Sequence, residues 1–338
     1  MILESLIRRE IHEQGPMPVS RFMELALYHP EHGYYSTRPV LGHDGDFITS
    51  PEMTQVFGEL IALWCIDLWK QLGEPIPVQV IELGPGRGTM MMDMLRVFKQ
   101  FPQFYGALTV SLVEASPHLK AQQQQALADH PLVNWFTMLS NVPNVGTHFI
   151  VANEFFDALP IQQFCLSDQH WVERRIGLAT RNLVFMGSDP IRENCPAYQP
   201  IMTEITQRLA QNQGGALIID YGDYTKGDRF GDTLQAVHQN RRAEVLTSIG
   251  NNDLSHHVNF AALIKLIDPP LVHQFSTQGE FLRGLGLKQR TEFLCQRSDP
   301  KTAYQLRTAA ARLTSQSQMG NLFKVLSIIN PDHQLSFK

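Results

Sequence analysis

Residues 77–96, PVQVIELGPGRGTMMMDMLR, constrain this chain more than any other stretch. Val78, Val80, Ile81 and Leu83 form a short apolar run rich in β-branched residues, as in a strand buried within a parallel sheet. Glu82, Gly84, Gly86 and Gly88 end the run, with Pro85 fixing one backbone angle of the turn. Thr89 is placed to cap a helix whose apolar positions Met90, Met91, Met94, Leu95, Val97 and Phe98 recur at roughly helical spacing. A glycine-rich strand-to-helix turn lets a ligand approach the backbone and offers it unpaired N–H groups. An ordinary tight turn is the plainer alternative.

The glycine spacing narrows the choice of ligand. In the dinucleotide fingerprint G-x-G-x-x-G, counted from Gly84, the third glycine falls at position 89. Here that position is Thr89, and the glycine comes one residue early at Gly88. Acidic-x-Gly-x-Gly-x-Gly suits the methionine end of S-adenosylmethionine (SAM) instead. That ligand has no pyrophosphate, and its ammonium and sulfonium favour a nearby carboxylate such as Glu82. A nicotinamide-dependent oxidoreductase is correspondingly disfavoured.

Composition excludes several classes. The 338 residues are 43% hydrophobic and 18% charged, which suits one large α/β domain or two smaller ones. Lysines and arginines number 28 against 33 acids, a net charge of −5, so nothing suggests a nucleic-acid binder held by phosphate contacts. Cys65, Cys165, Cys195 and Cys295 form no C-x-x-C pair, which points to a reducing compartment. No 18-residue apolar run predicts a membrane span, and the acid-containing start MILESLIRREIHEQG lacks a targeting pattern. A cytoplasmic bacterial protein is expected.

Two amphipathic helices are predicted over residues 1–27, split by Gly15-Pro16-Met17-Pro18, with Ile2, Leu3, Leu6, Ile7 and Ile11 as the first apolar stripe. A long aperiodic segment rich in glycine, proline and aromatics follows, the kind of stretch that serves as a binding loop. It leads through Phe47, Thr49, Ser50, Pro51 and Glu52 into a helix predicted over 52–72, with Ser50 as N-cap and Pro51 as first helical residue. Helix N-termini also face ligands, so the cap does not exclude a site there.

A second buried strand, residues 108–113, ends in Glu114. A carboxylate there suits the paired ribose hydroxyls, although a solvated acid is the alternative. A glutamine-rich helix over 117–128 and a third strand over 133–136 come next, then Leu139, Ser140 and Asn141, where an adenine ring can lie against apolar side chains. The fourth strand, 148–152, runs into Asn153-Glu154-Phe155-Phe156-Asp157-Ala158-Leu159-Pro160. Acids beside aromatics at the carboxyl end of a central strand are costly without a cationic partner, so Glu154 and Asp157 are candidates to receive a guanidinium or ammonium. A solvated loop with an aspartate cap is the alternative. Hairpins are predicted over 161–187, a helix over 198–212, a fifth strand over 216–219 ending in Asp220, helices over 260–267 and 278–285, and a terminal strand over 321–329 closing the sheet. His256 and His257 lack companions at metal-ligand spacing, so no metal is expected.

In this order, GDFITSPEMTQVFGELIALW, IELGPGRGTMMMDMLR, LVEAS, NEFFDALPIQQF, LIIDYG and DLSHHVNF resemble the MidA-like class I SAM-dependent methyltransferases over roughly residues 5–330. The family includes the mitochondrial methyltransferase that serves as a complex I assembly factor. The resemblance implies an α/β, Rossmann-like, seven-stranded methyltransferase sheet with helices on both faces. Residues 1–72 are expected as an N-terminal helical cap and binding loop. Residues 73–338 are expected as the methyltransferase domain, with substrate-side insertions at about 161–190 and 225–285.

Cofactor contacts are expected from Glu82, Gly84, Pro85, Gly86, Gly88, Thr89, Glu114, Ala115, Leu139, Ser140, Asn153, Thr49 and Ser50. Glu154 is expected to orient the acceptor, with Asp157 or Glu52 as second carboxylate and Phe47, Phe155 and Phe156 walling the channel. Asn259 stands where the family commonly has an acid, so no catalytic acid is assigned there. The implied partner is a protein substrate methylated on arginine, with a NADH dehydrogenase-like subunit as candidate. A small-molecule N- or O-methyltransferase and a non-catalytic SAM-binding assembly factor are the competing readings. The sequence leaves the oligomeric state open.

Overall fold

A computed structural model describes residues 2–37, 49–180, 182–188, 190–224, 231–239 and 241–331. Seven strands build its central sheet: β1 (Val78–Leu83), β2 (Leu108–Val113), β3 (Val133–Phe136), β4 (Thr147–Asn153), β5 (Gly214–Asp223), β6 (Val272–Thr277) and β7 (Phe323–Ile329). Their spatial order is β6-β7-β5-β4-β1-β2-β3. All are parallel except β7, which is antiparallel to both neighbours. The two-residue strand Val258–Asn259 extends the far end of β5. From β1 the chain moves outward to β2 and β3, then crosses back to β4 on the other side of β1. That reversal opens a crevice at the carboxyl ends of β1 and β4.

The strands read as continuous apolar runs because both faces of the sheet are covered. Along β1, β4 and β5 the side chains alternate between two cores. Val78, Val80, Phe149, Val151, Leu217 and Ile219 join the core under α3 (Gln55–Gln71) and α4 (Thr89–Phe98). Ile81, Leu83, Ile150, Ala152, Ala216 and Ile218 join the other, under α1 (Ile2–Gln14), α2 (Val19–Tyr28) and α6 (Tyr198–Asn212), α5 (Pro117–Ala126) lying between α4 and α6 in the chain. Leu3, Ile7 and Ile11 carry the buried stripe of α1, whereas Ile2 is 65% exposed. Residues 161–187 do form hairpins: their strands belong to two small three-stranded sheets, one of which pairs with Met17–Pro18.

Several local expectations need correction. The helix predicted over 52–72 is two helices, Ser50–Met53 and α3, because Thr54 is extended (φ −164°) and its hydroxyl accepts from Val56 N to start the second. Ser50 is therefore not a cap, and Thr49, at the N-cap position, makes no side-chain bond there. Thr89 does not cap α4 either; Gly88 precedes it in the left-handed region (φ 81°), which leaves the Thr89 hydroxyl free to reach Glu52. The helix at 260 stops at Ile264 after one turn, capped by the Asn259 side chain, which accepts from Ala262 N. The terminal strand begins at Phe323 and lies inside the sheet; β6 is the edge. Helices α7 (Leu287–Cys295) and α8 (Pro300–Thr314) lie outside the elements predicted from sequence.

Helices α3 and α4 pack at close range through Gly58. A Cβ built there would lie 2.8 Å from Asp93 Cβ and 3.0 Å from the Met90 carbonyl, neither of which is a flexible side-chain end. Gly58→Ala gains about 1 kcal/mol of helix propensity but forces the helices apart, an overpacking cost of about 1–3 kcal/mol. We expect a net loss of stability, read as a lower urea midpoint at unchanged slope. An unchanged or higher midpoint would show that the helices separate freely.

Candidate active site

The crevice at the carboxyl ends of β1, β2 and β4 is an open-mouthed cavity of about 1160 Å³, mouth included. The glycine turn forms its floor. Gly84, Gly86 and Gly88 all have positive φ (63°, 56° and 81°). Gly84 N donates to Val113 O at 3.0 Å and Gly88 N to Pro85 O at 2.8 Å, fixing the bend. A Cβ on Gly84 would meet Phe155 Cδ2 at 2.8 Å, so the turn and the segment after β4 touch across the cavity.

Glu82, the last carboxylate of β1, is 2% exposed and lines the cavity. Its Oε2 has no hydrogen-bond partner. Burial, aided by the nearby Glu114 carboxylate, pushes its pKa up to about 8. Asn153 Oδ1, also buried and on the cavity wall, likewise lacks a partner. Buried polar atoms left unpaired at a cavity are positions a ligand can satisfy. Glu114 at the end of β2 is better held: Oε1 accepts from Ser116 N at 2.8 Å and Oε2 from Gln123 Nε2 at 3.1 Å. Burial still raises its pKa against those bonds. The same Gln123 amide donates to Gly86 O at 2.7 Å, tying α5 to the glycine turn.

The segment after β4 is shaped by a residue whose role the sequence did not disclose. Asp220, fully buried on β5, accepts through Oδ2 from the amides of Phe155, Phe156 and Asp157 at 3.1, 2.8 and 3.3 Å, and through Oδ1 from Tyr221 N at 2.8 Å. Glu154 sits at φ 51°, with its Oε1 accepting from Ser50 N at 3.0 Å and Asn153 Nδ2 at 3.2 Å. Its surroundings withhold water and push its pKa up to about 7. Asp157 is raised well above the usual range, by burial first and then by Asp220, Asp253 and Glu154. Tyr28, Tyr35, Asp253 and Ser255, from the N-terminal helices and a small sheet, complete the wall; the sequence assigns none of them a site role, although Asp253 and Ser255 fall in the segment DLSHHVNF.

Most of the expected site residues converge here, with exceptions. Glu52, Thr49, Pro85, Thr89, Ala115 and Phe155 line the cavity with Glu82, Gly84, Gly86, Glu114, Asn153, Glu154 and Asp157, whereas Gly88 is not on its wall and packs toward Leu127 and Gln123. Glu52 is engaged at the glycine turn, accepting from Thr89 Oγ1 at 2.8 Å and lying 3.7 Å from Arg87. Ser50 acts from behind, through its backbone N–H to Glu154, while its hydroxyl turns to Gln278. Leu139 and Ser140 lie away from the cavity: Leu139 is in the core, its carbonyl accepting from Arg208 Nη2 at 3.0 Å, because the short helix there packs on α6. Phe156 is fully buried against Tyr198 and walls no channel. Phe47 lies outside the described residues. Among the described residues, no group of three or more His, Cys, Asp or Glu side chains is arranged to hold a metal ion.

Comparison with known proteins agrees with this geometry. The family described as "Putative S-adenosyl-L-methionine-dependent methyltransferase" matches residues 60–191 and 187–270. The protein arginine methyltransferase NDUFAF7, mitochondrial, of Danio rerio is 34% identical over 360 residues, covering 94% of this chain and 84% of that protein. Its Homo sapiens counterpart is 32% identical over 364 residues, covering 95% and 81%. In structure, a Burkholderia thailandensis protein crystallised with S-adenosyl-homocysteine matches with a TM-score of 0.84 over 98% of this chain and 93% of that one, at 24% identity, which bears on the fold. The residues present fit a SAM-type ligand: the unpaired Glu82 oxygen suits an ammonium, Glu114 suits ribose hydroxyls, and Gly84 and Gly86 line the same cavity.

A pH dependence follows from Glu82. With its pKa pushed up to about 8, it is protonated at pH 7 and must ionise to hold an ammonium. Affinity for S-adenosyl-homocysteine is expected to rise between pH 6 and 7.5, by up to about tenfold per unit, with proton release on binding. Glu82→Gln should flatten that rise and remove the proton release. Calorimetry in buffers of different ionisation enthalpy reads both, and equal release by the two proteins would exclude Glu82 as the ammonium partner.

Proposed function

The chain belongs to the S-adenosyl-L-methionine-dependent methyltransferase family, and from that footing we propose that it methylates arginine side chains of a protein substrate in the cytoplasm. It is a SAM-dependent methyltransferase; the acceptor is the step beyond. Charge balance at the cavity carries the arginine reading. Among the described residues six carboxylates line it, those of Glu52, Glu82, Glu114, Glu154, Asp157 and Asp253, and one cation, Arg87. Glu52 is engaged by Thr89 and lies near Arg87, Glu114 is hydrogen-bonded by Ser116 and Gln123, and Glu82 suits the cofactor ammonium. Glu154 and Asp157 remain on the acceptor side, with Asp253 beside them held by Tyr35 and Asp220 buried behind. A cofactor of net charge +1 leaves that surplus in place, and enclosed carboxylates without a cation are costly. A cationic acceptor fits such a wall better than a phenol or a carboxylate. Relatives named as protein arginine methyltransferases support the guanidinium and the protein, and the family resemblance makes a NADH dehydrogenase-like subunit the first candidate.

When bound, the cofactor supplies a methyl group on a positively charged sulfur, open to in-line attack. The protein's share is alignment and exclusion of water. Guanidinium is a weak nucleophile, since its lone pairs are delocalised and it stays protonated near neutral pH. Glu154, steadied by Ser50 N and Asn153 Nδ2, is positioned to accept from one guanidinium nitrogen and localise electron density there. Asp157 is the better second acceptor, because Glu52 is committed to Thr89. As the new N–C bond forms and the S–C bond breaks, the acceptor nitrogen gives up one proton, which a carboxylate of this wall takes.

Incubating the protein with tritiated SAM and cell lysate should label a protein band that releases methylated arginine on hydrolysis. Label confined to small molecules, or no label at all, rejects the proposal. Glu154→Gln should leave cofactor affinity within about threefold and lower the methylation rate by roughly a hundredfold or more. Lost cofactor affinity in that variant would make Glu154 a cofactor ligand instead.

A further inference from the structure

We propose that Asp253, braced by Tyr35, is the residue that makes the acceptor subsite selective for a planar guanidinium over an ammonium. This rests on the arginine reading above and names the side chain behind it. Asp253 and Ser255 are alternate residues of the strand Asp253–Ser255, so both point to the face that lines the cavity. That strand pairs antiparallel with Gln235–His238, and Gln235 Nε2 donates to Ser255 Oγ at 3.3 Å. Tyr35 Oη donates to Asp253 Oδ1 at 3.1 Å, which sets the direction of the carboxylate. Tyr35 is itself anchored on the cofactor side, where its carbonyl accepts from Ser116 Oγ at 2.7 Å, two residues from Glu114.

The facing carboxylate is Asp157, and the two segments are joined twice. His256 N donates to Asp157 O at 3.0 Å. Tyr28 stacks on Tyr35, with ring centroids 5.7 Å apart and planes 28° apart, and donates through Oη to Ala158 O at 2.9 Å. A pair of stacked aromatic rings thus links the Asp253 wall to the Asp157 wall, and both rings line the same cavity. Asn153 Oδ1, buried and unpaired on that cavity, adds a separate acceptor beside Glu154 and asks for a ligand N–H.

Geometry favours guanidinium over ammonium. A guanidinium carries five N–H donors in one plane and stacks on aromatic faces. Carboxylates on different segments with a flat aromatic pair between them match a plane of donors. A lysine ammonium is a compact, strongly hydrated point charge with three donors, and it gains little from the second wall. Asp253 therefore acts as a positioning and specificity residue, while Glu154 orients the attacking nitrogen.

The test uses Nα-acetyl-arginine-N-methylamide and its lysine counterpart, titrated into the full-length protein saturated with S-adenosyl-homocysteine. The wild type should bind the arginine probe about tenfold more tightly or better. In Asp253→Asn that preference should collapse, with the arginine probe weakened about tenfold or more, the lysine probe changed less than about threefold, and cofactor affinity preserved. Tyr35→Phe should lose part of the preference, about three- to tenfold. A wild-type preference that survives in Asp253→Asn overturns the assignment and leaves the arginine reading standing. An equal loss for both probes shows a merely structural role and overturns it too. A wild type that binds the two probes alike, or neither, removes the arginine reading itself. Should Asp253→Asn fail to fold, Tyr35→Phe decides, and an unchanged preference there rejects the proposal.

Discussion

One buried carboxylate organises the acceptor half of this site. Asp220 has no exposed surface, yet it gathers four backbone N–H groups, three of them from consecutive residues of the neighbouring strand's exit turn. Those bonds favour the charged form, while burial, the larger effect, pushes the pKa up to about 7. Because the turn is fixed from beneath, Glu154 can hold a left-handed backbone conformation that a non-glycine residue rarely adopts. Its carboxylate then meets Ser50 N, and the segment before α3 is drawn onto the same wall.

This arrangement explains why the parts of the site differ in how far the sequence exposes them. The strand-turn-helix over residues 77–96 is local: a strand buried along its whole length, three glycines at positive φ and an apolar helix face all lie within twenty residues. Glu82 and Glu114 were legible for the same reason, since strand ends locate them. Tyr28, Tyr35 and Gln123 are not, and Asp253 stands out only as the first residue of the segment DLSHHVNF, with no role attached. They belong to helices and a small sheet whose sequences show ordinary stripes or polar loops, and only tertiary contacts turn them toward the cavity. Asp220 is visible as an acid at a strand end, but three of its four partners lie 63–65 residues away in the chain.

The misplaced expectations have the same origin. Leu139 and Ser140 follow β3 where an adenine wall was reasonable, yet Arg208 of α6 binds the carbonyls of Leu139 and Val142 and holds the turn in the core. Thr54 interrupts a segment whose apolar periodicity looks continuous, because an extended backbone at one residue is invisible to a periodicity count. Helix α8 is absent from the predicted elements although Asp299 caps it, accepting from Lys301 N and Thr302 N at 2.9 and 3.1 Å. Asp-Pro followed by a polar, alanine-rich run was a readable start signal.

The carboxylates of the cavity share a thermodynamic logic. Glu82, Glu114, Glu154, Asp157 and Asp220 are all raised, and burial is the leading cause in each. A wall of charged acids facing one another would repel itself, so without a cation among them these acids hold part of their charge as protons. A cationic ligand reverses this, since each positive group that enters favours ionisation of the acid it meets. The cofactor's ammonium does so at Glu82 and a guanidinium at the Glu154–Asp157 side, where acids most nearly share one charge field. Entry of the first cation at one end lowers the negative field felt at the other, so the two ligands are coupled through the carboxylates even without movement of the backbone.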